Sequence, residues 1–150
     1  MELRVIGISE GRRIPDKYTC RGKNISPKIE IQDRNEEGYY FIIMNDPDAP
    51  SGLFTHWILY NIPAGSAILE ENIEKKEITE DGYYQGINDF GEPGYGGPCP
   101  PKGDGDHRYF IKIYRTKEAV SRKKIDAENA YAILAQLTPE AEFYAIFSRE

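Results

Sequence analysis

The chain has 150 residues, enough for one domain with a substantial core. A net charge of −6, with lysine and arginine scattered, excludes a surface that tracks a nucleic-acid backbone or docks on an anionic membrane. No apolar run reaches the roughly 18 residues that span a bilayer, so membrane insertion is excluded too.

Leu3–Ile6 reads as a short strand ended by Gly7. Gly11 to Pro27 is a long connection punctuated by Gly and Pro, and Ile29-Glu30-Ile31 alternates as a second strand. Tyr39–Asn45, YYFIIMN, is apolar on both faces, which predicts a strand in the middle of a sheet or between two sheets. Asp46–Gly52, DPDAPSG, must turn, and Phe54–Asn61, FTHWILYN, is again a buried strand. Glu70–Asp81 is a charged, exposed connection in which Ile68, Ile73 and Ile78 are too sparse to define an element.

Gly86–Arg115 holds seven of the 14 glycines and four of the 10 prolines before it breaks into an aromatic-rich run. This predicts a shaped loop feeding the strand Tyr109–Arg115. Asp126 is a suitable N-cap for a helix carrying Ala130, Ile133, Leu134 and Leu137 at i, i+3, i+4 and i+7, stopped by Thr138-Pro139. Phe143–Phe147 is a last strand. Short strands, long Gly/Pro connections and late helices predict a mainly β protein: a single domain over 1–150, built as an antiparallel β-sandwich with one or two short helices near the C-terminus.

The opening MELRVIGISEGRR lacks the basic-then-apolar layout of a secretion signal, and two cysteines are too few for a disulfide framework. A cytoplasmic protein with free thiols at Cys20 and Cys99 is the expectation, intracellular disulfides being a habit of hyperthermophiles.

If the strands 39–45 and 54–61 pair as a hairpin, Asp46 leaves one strand at the end of the sheet where His56 enters the next. His107 likewise opens its strand directly after a loop, and in strand register it shares a face with Tyr109, Ile111 and Ile113. Both histidines of the chain are thus delivered to strand entrances beside Gly/Pro loops, where a small-molecule pocket belongs. Each residue also has a plain reading: a histidine beside Trp57 is often a bonded core residue, Asp46 and Asp48 fit a turn unaided, and Tyr95 and Tyr109 suit a wall. Cys99 as a thiol nucleophile and a metal held by His56, His107 and an aspartate are the rival chemistries, without a third triad group or close ligand spacing to support them. A phosphate loop of the G-K-S/T type is absent. Imidazole N–H groups, a tyrosine hydroxyl and loop amides suit a small anion, with an aspartate orienting a histidine or meeting an ammonium on a zwitterion such as phosphoethanolamine.

GRRIPDKYTCRGKNISPKIEI, DPDAPSG followed by THWILYNIP, and GINDFGEPGYGGPCPPKGDGDHRYFIKIYR together resemble the phosphatidylethanolamine-binding protein family, which includes the Raf kinase inhibitor protein. The match runs in order from about Gly11 to Arg115. The resemblance implies a conserved anion pocket at one end of a β-sandwich. It would be formed by Asp46, Asp48, Ala49 and Pro50 of DPDAP, His56, Pro100 and Pro101, and His107 and Tyr109 of H-R-Y. It implies a non-enzymatic protein that binds phosphate, phosphoethanolamine or a similar anion and needs no cofactor. Some relatives inhibit kinases or serine proteases by binding them, which makes a protein-interaction module that inhibits a protease or kinase the alternative reading, and small prokaryotic members are often dimers, so a homodimer is possible. The short link from Pro50 to His56 and the chain end soon after FYAIFSRE, without the helix that partly closes the pocket in mammalian members, imply a more open site and weigh against kinase regulation.

Overall fold

A computed structural model describes residues 1–150. Eight strands form two antiparallel sheets. The smaller sheet holds β1 (Glu2–Val5), β2 (Ile29–Gln32) and β5 (Ala67–Leu69), in the order β1-β2-β5. The larger holds β3 (Tyr39–Asp46), β4 (Phe54–Pro63), β6 (Tyr84–Gln85), β7 (His107–Thr116) and β8 (Ala141–Phe147), in the order β6-β4-β3-β7-β8. A single 3-10 turn, Asp16–Tyr18, interrupts the long connection after β1.

β3 is central because neither of its faces carries a side chain that wants water. Tyr40, Ile42 and Met44 point to the smaller sheet and pack with Ile29, Ile31, Trp57, Leu59, Ile111 and Ile113. Phe41 and Ile43 point the other way and pack with Ile58, Tyr60, Ile125, Ala130 and Leu134. That second apolar face needs a cover, and the helix α1 (Ala127–Leu134) supplies it. The helix therefore lies on the outer face of the large sheet, giving a sheet–sheet–helix stack, rather than at one end of a sandwich. Full burial of each such side chain stabilises by about 1.5–3 kcal/mol.

Asp126 caps α1 as the sequence predicts: its carboxylate accepts from the Asn129 amide, and the Asn129 side chain accepts from the Asp126 amide. The helix stops at Leu134, earlier than the stripe to Leu137 suggests. The extended backbone favoured before Pro139 unwinds the last turn and leaves Leu137 exposed.

Two other expectations are corrected, and one strand is new. The stretch around Ile68 does form an element, because β5 pairs along β2 at Ile29↔Leu69 and Ile31↔Ala67. Its buried Leu69 faces the core while Ile68 faces outward on an edge. β6 is two residues long and exists through pairing with Leu59 and Tyr60, which no local pattern announces. Finally, Cys20 and Cys99 are not free: their sulfurs are joined, stapling the 11–27 connection to the Pro-rich wall 79 residues later. The main-chain bond from the Cys20 amide to the Pro98 carbonyl (3.1 Å) shows that the two segments run side by side at the staple.

No helix of the structure is long and apolar enough to cross a membrane.

Candidate functional site

The β3–β4 hairpin brings Asp46 opposite Phe54 and Asn45 opposite Thr55, at the end of the sheet where β7 begins. Met44 pairs with Trp57 but Asn45 pairs with Thr55, so His56 is the extra residue of a β-bulge. The bulge decides where His56 points. In regular alternation with Trp57 it would face α1, as Thr55 does through its hydroxyl contact with Tyr131 (3.0 Å). The bulge turns it to the same side as Trp57, where its ring meets Tyr109 edge-on at 5.3 Å.

His56 is then fixed by the glycine loop. Its Nδ1–H donates to the Gly96 carbonyl (2.7 Å), while the Gly96 amide donates to the His56 carbonyl (3.0 Å). Gly96 and Gly97 must be glycine for this approach. A Cβ at Gly96 would overlap the Phe90 ring, and one at Gly97 the Tyr18 carbonyl oxygen. Burial lowers the His56 pKa and the Gly96 bond offsets this only in part, so the ring is neutral near pH 7. With Nδ1–H committed, a neutral His56 presents an acceptor at Nε2.

His107 is the opposite case. Nδ1 donates to Asp46 Oδ2 (2.7 Å) and Nε2 to Asp104 Oδ2 (2.6 Å). Burial alone would lower its pKa, but the bonds to Asp104 and then Asp46 outweigh it and the net shift is upward. His107 sits between two carboxylates, an arrangement that favours its protonated form. Asp46 in turn accepts from the Asp48 amide (2.7 Å), which sets the turn. Asp48 pairs with Arg108 through both carboxylate oxygens (2.9 Å each) and through the Arg108 amide (2.8 Å), and Arg108 holds its pKa at about 2.

A cavity of about 270 Å³ opens between these elements, lined by Ala49, Pro50, Ser51, Phe54, His56, Phe90, Cys99, Pro100, Pro101 and His107. Six of the nine residues singled out from the sequence thus share one wall. Asp46, Asp48 and Tyr109 stand behind it: Asp46 holds His107, Asp48 holds Arg108, and the Tyr109 ring lies against His56 and 6.4 Å from His107. Burial pushes the Tyr109 hydroxyl well above the usual phenol range, so it stays protonated.

The sequence reading leaves out Ser51, Phe54, Phe90 and Asp104. Phe54 and Phe90 meet edge-on (4.8 Å) and both flank His56, with Phe90 held there because Asp89 exchanges hydrogen bonds with the Thr55 backbone. A phenylalanine set in a polar glycine loop, NDFGEP, is the signal that marks Phe90; Asp104 between two glycines carries a weaker one. Cys99 lines the wall as half of a disulfide, which removes thiolate chemistry there. No group of three or more His, Cys, Asp or Glu side chains is arranged to hold a metal ion. A larger, open depression of about 1230 Å³ lies over β1, β2 and β5, but it is exposed strand surface with no buried histidine or tyrosine directed into it.

Two packed antiparallel sheets with a histidine-lined cavity where β3, β4 and β7 meet define a β-sandwich protein with a cavity at one end of its large sheet. The family model described as phosphatidylethanolamine-binding protein matches residues 6–145, and the chain belongs to that family. It is 46% identical to the UPF0098 protein of Aquifex aeolicus over 91% of this chain and 84% of that protein. Among solved structures, a phosphatidylethanolamine-binding protein homologue from Chlamydia trachomatis superposes with a TM-score of 0.82 at 31% identity, covering 99% of this chain and 97% of that one. YbcL of E. coli, described as a member of the mammalian family, superposes with a TM-score of 0.86 at 26% identity, covering 99% and 98%.

Proposed function

We propose that this chain is a non-enzymatic binding protein whose cavity captures a phosphate-type anion such as phosphate or phosphoethanolamine. The observation that carries the reading is that both imidazoles of the chain line one small cavity, His56 with Nδ1 on a backbone carbonyl and His107 with a carboxylate on each ring nitrogen. Both nitrogens of His107 bond to carboxylates, Nδ1 to Asp46 and Nε2 to the exposed Asp104, so an anion reaches a His107 N–H by displacing Asp104. His56, with Nδ1 on the Gly96 carbonyl, offers Nε2 as an acceptor for the P–OH of a singly protonated phosphate. Asp46 orients His107 and keeps it charged. Proline and phenylalanine walls lower the local dielectric, which strengthens the charged hydrogen bonds. No activated nucleophile stands among the lining residues, which favours capture over turnover.

Isothermal calorimetry with phosphate and with phosphoethanolamine tests the reading. Losing a hydrogen bond to a charged group costs about 1.5–3 kcal/mol, so His107→Ala weakens binding by about tenfold or more. Unchanged affinity in that variant would remove the anion site from this cavity.

A further inference from the structure

Both N–H groups of His107 are already taken. Asp46 binds Nδ1 from the end of β3 and is itself 3% exposed, a fixed orienting group. Asp104 binds Nε2 from the loop 102–106, every residue of which is exposed, and its side chain remains 40% exposed while it does so. The nitrogen that an incoming anion requires is therefore occupied by a carboxylate that the protein carries on an exposed loop. Gly103 and Gly105 flank it at φ +77° and +79°, with nothing within 4 Å of where a Cβ would stand at either. The loop is held at its base, where the Gly103 amide donates to the Arg149 carbonyl (2.9 Å) and Arg149 Nε donates to the Pro100 carbonyl (2.6 Å). The Asp104 amide donates to the Pro101 carbonyl (3.2 Å), so a rotation of the Asp104 side chain alone frees the His107 nitrogen while the backbone beside the Pro100–Pro101 wall stays bonded.

We infer that Asp104 is an internal ligand of the pocket, a tethered carboxylate that occupies the anion position on His107 and sets which anions are admitted. This rests on the anion-pocket reading and specifies the ligand class. A free monocarboxylate exchanges one carboxylate–imidazolium bond for another and gains nothing. It must also compete with a tethered group whose effective concentration is about millimolar or higher. A phosphate monoester does better on two counts. One anionic oxygen takes the place of Asp104 on His107, and the P–OH of the monoanion donates across the cavity to Nε2 of His56. The site thereby rejects acetate-like anions and admits phosphoryl groups, at the expense of a weaker absolute affinity. The charged groups around His107 are all part of this balance: Asp46 from β3, Asp48 from the turn after it, Arg108 beside it, and Asp104.

The test compares wild type, D104A and D104N by calorimetry with inorganic phosphate and with sodium acetate, and by 15N NMR of the His107 ring. The expected result is that D104A binds phosphate at least about tenfold tighter than wild type and gains acetate binding that wild type lacks. D104N, which keeps an acceptor oxygen and loses the charge, falls between the two. In D104A the His107 Nε2 proton exchanges with water faster than in wild type. Equal phosphate affinity in wild type and D104A, or an Nε2 proton equally protected in both, would overturn the inference while leaving the anion site intact. Absence of phosphate binding in all three proteins would overturn the anion-site reading itself, and this inference with it.

Discussion

At the scale of single residues, the two histidines pull stability in opposite directions with pH. The folded pKa of His107 lies above its ordinary value of 6.5, so its contribution is fully present below 6.5 and is lost as pH rises through the folded value. The folded pKa of His56 lies below 6.5, so the unfolded chain takes up a proton that the folded one refuses, and stability falls as pH drops below 6.5. Urea unfolding across this range is expected to show the alkaline-side decline in wild type and its loss in His107→Gln. Superimposable profiles would mean the carboxylate clamp stores no such energy. The type and position of both histidines are legible in the sequence, as strand-entry residues beside loops. Their protonation states are not, because these depend on the Gly96 carbonyl 40 residues away and on Asp104, whose partnership is a matter of loop geometry.

At the scale of elements, β3, β4, β7 and β8 are readable because apolar runs of this length have one stable place, inside a sheet stack. β5 and β6 are not, since two or three residues become a strand only when a neighbour offers its edge. The bulge at His56 is also invisible: alternation read from FTHWILYN puts His56 and Trp57 on opposite faces, and the extra residue puts them on one. The staple between Cys20 and Cys99 is a third case, as two cysteines 79 residues apart carry no local mark of pairing. Closing a loop of that length contributes about 4 kcal/mol in the chain-entropy account. The double variant Cys20→Ser, Cys99→Ser is accordingly expected to lose roughly 2–4 kcal/mol in urea unfolding. A change under 1 kcal/mol would show that the Tyr95–Tyr18 and Gly97–Asn24 hydrogen bonds already hold the segments together. Asp126→Ala should cost about 1 kcal/mol, read the same way, because it unmakes the box that starts α1.

At the scale of the whole molecule, the two ends of the large sheet are built differently. The end away from the cavity is buckled by Arg115, whose guanidinium reaches Asp33 after β2, Glu140 before β8, and the carbonyls of Asn35 and Glu37. Tyr40 adds its hydroxyl to Asp33 (2.7 Å) and to the Gly65 carbonyl (2.9 Å), so both sheets are fastened at that end by buried or half-buried charge-assisted bonds. The cavity end carries a bulge and an exposed carboxylate arm, and its fastenings are the His107–Asp46 bond, the Asp48–Arg108 pair and the Cys20–Cys99 disulfide. Along one and the same strand the energy of local opening therefore changes from one terminus to the other. Deuterium uptake should be slowest for the amides of β3 and β7 near Tyr40 and Tyr114 and progressively faster toward Asn45 and Arg108. Arg115→Leu should flatten that slope by speeding the slow end. If uptake follows that slope, the sheet would work like tweezers, aligned by the riveted end and opening at the tips.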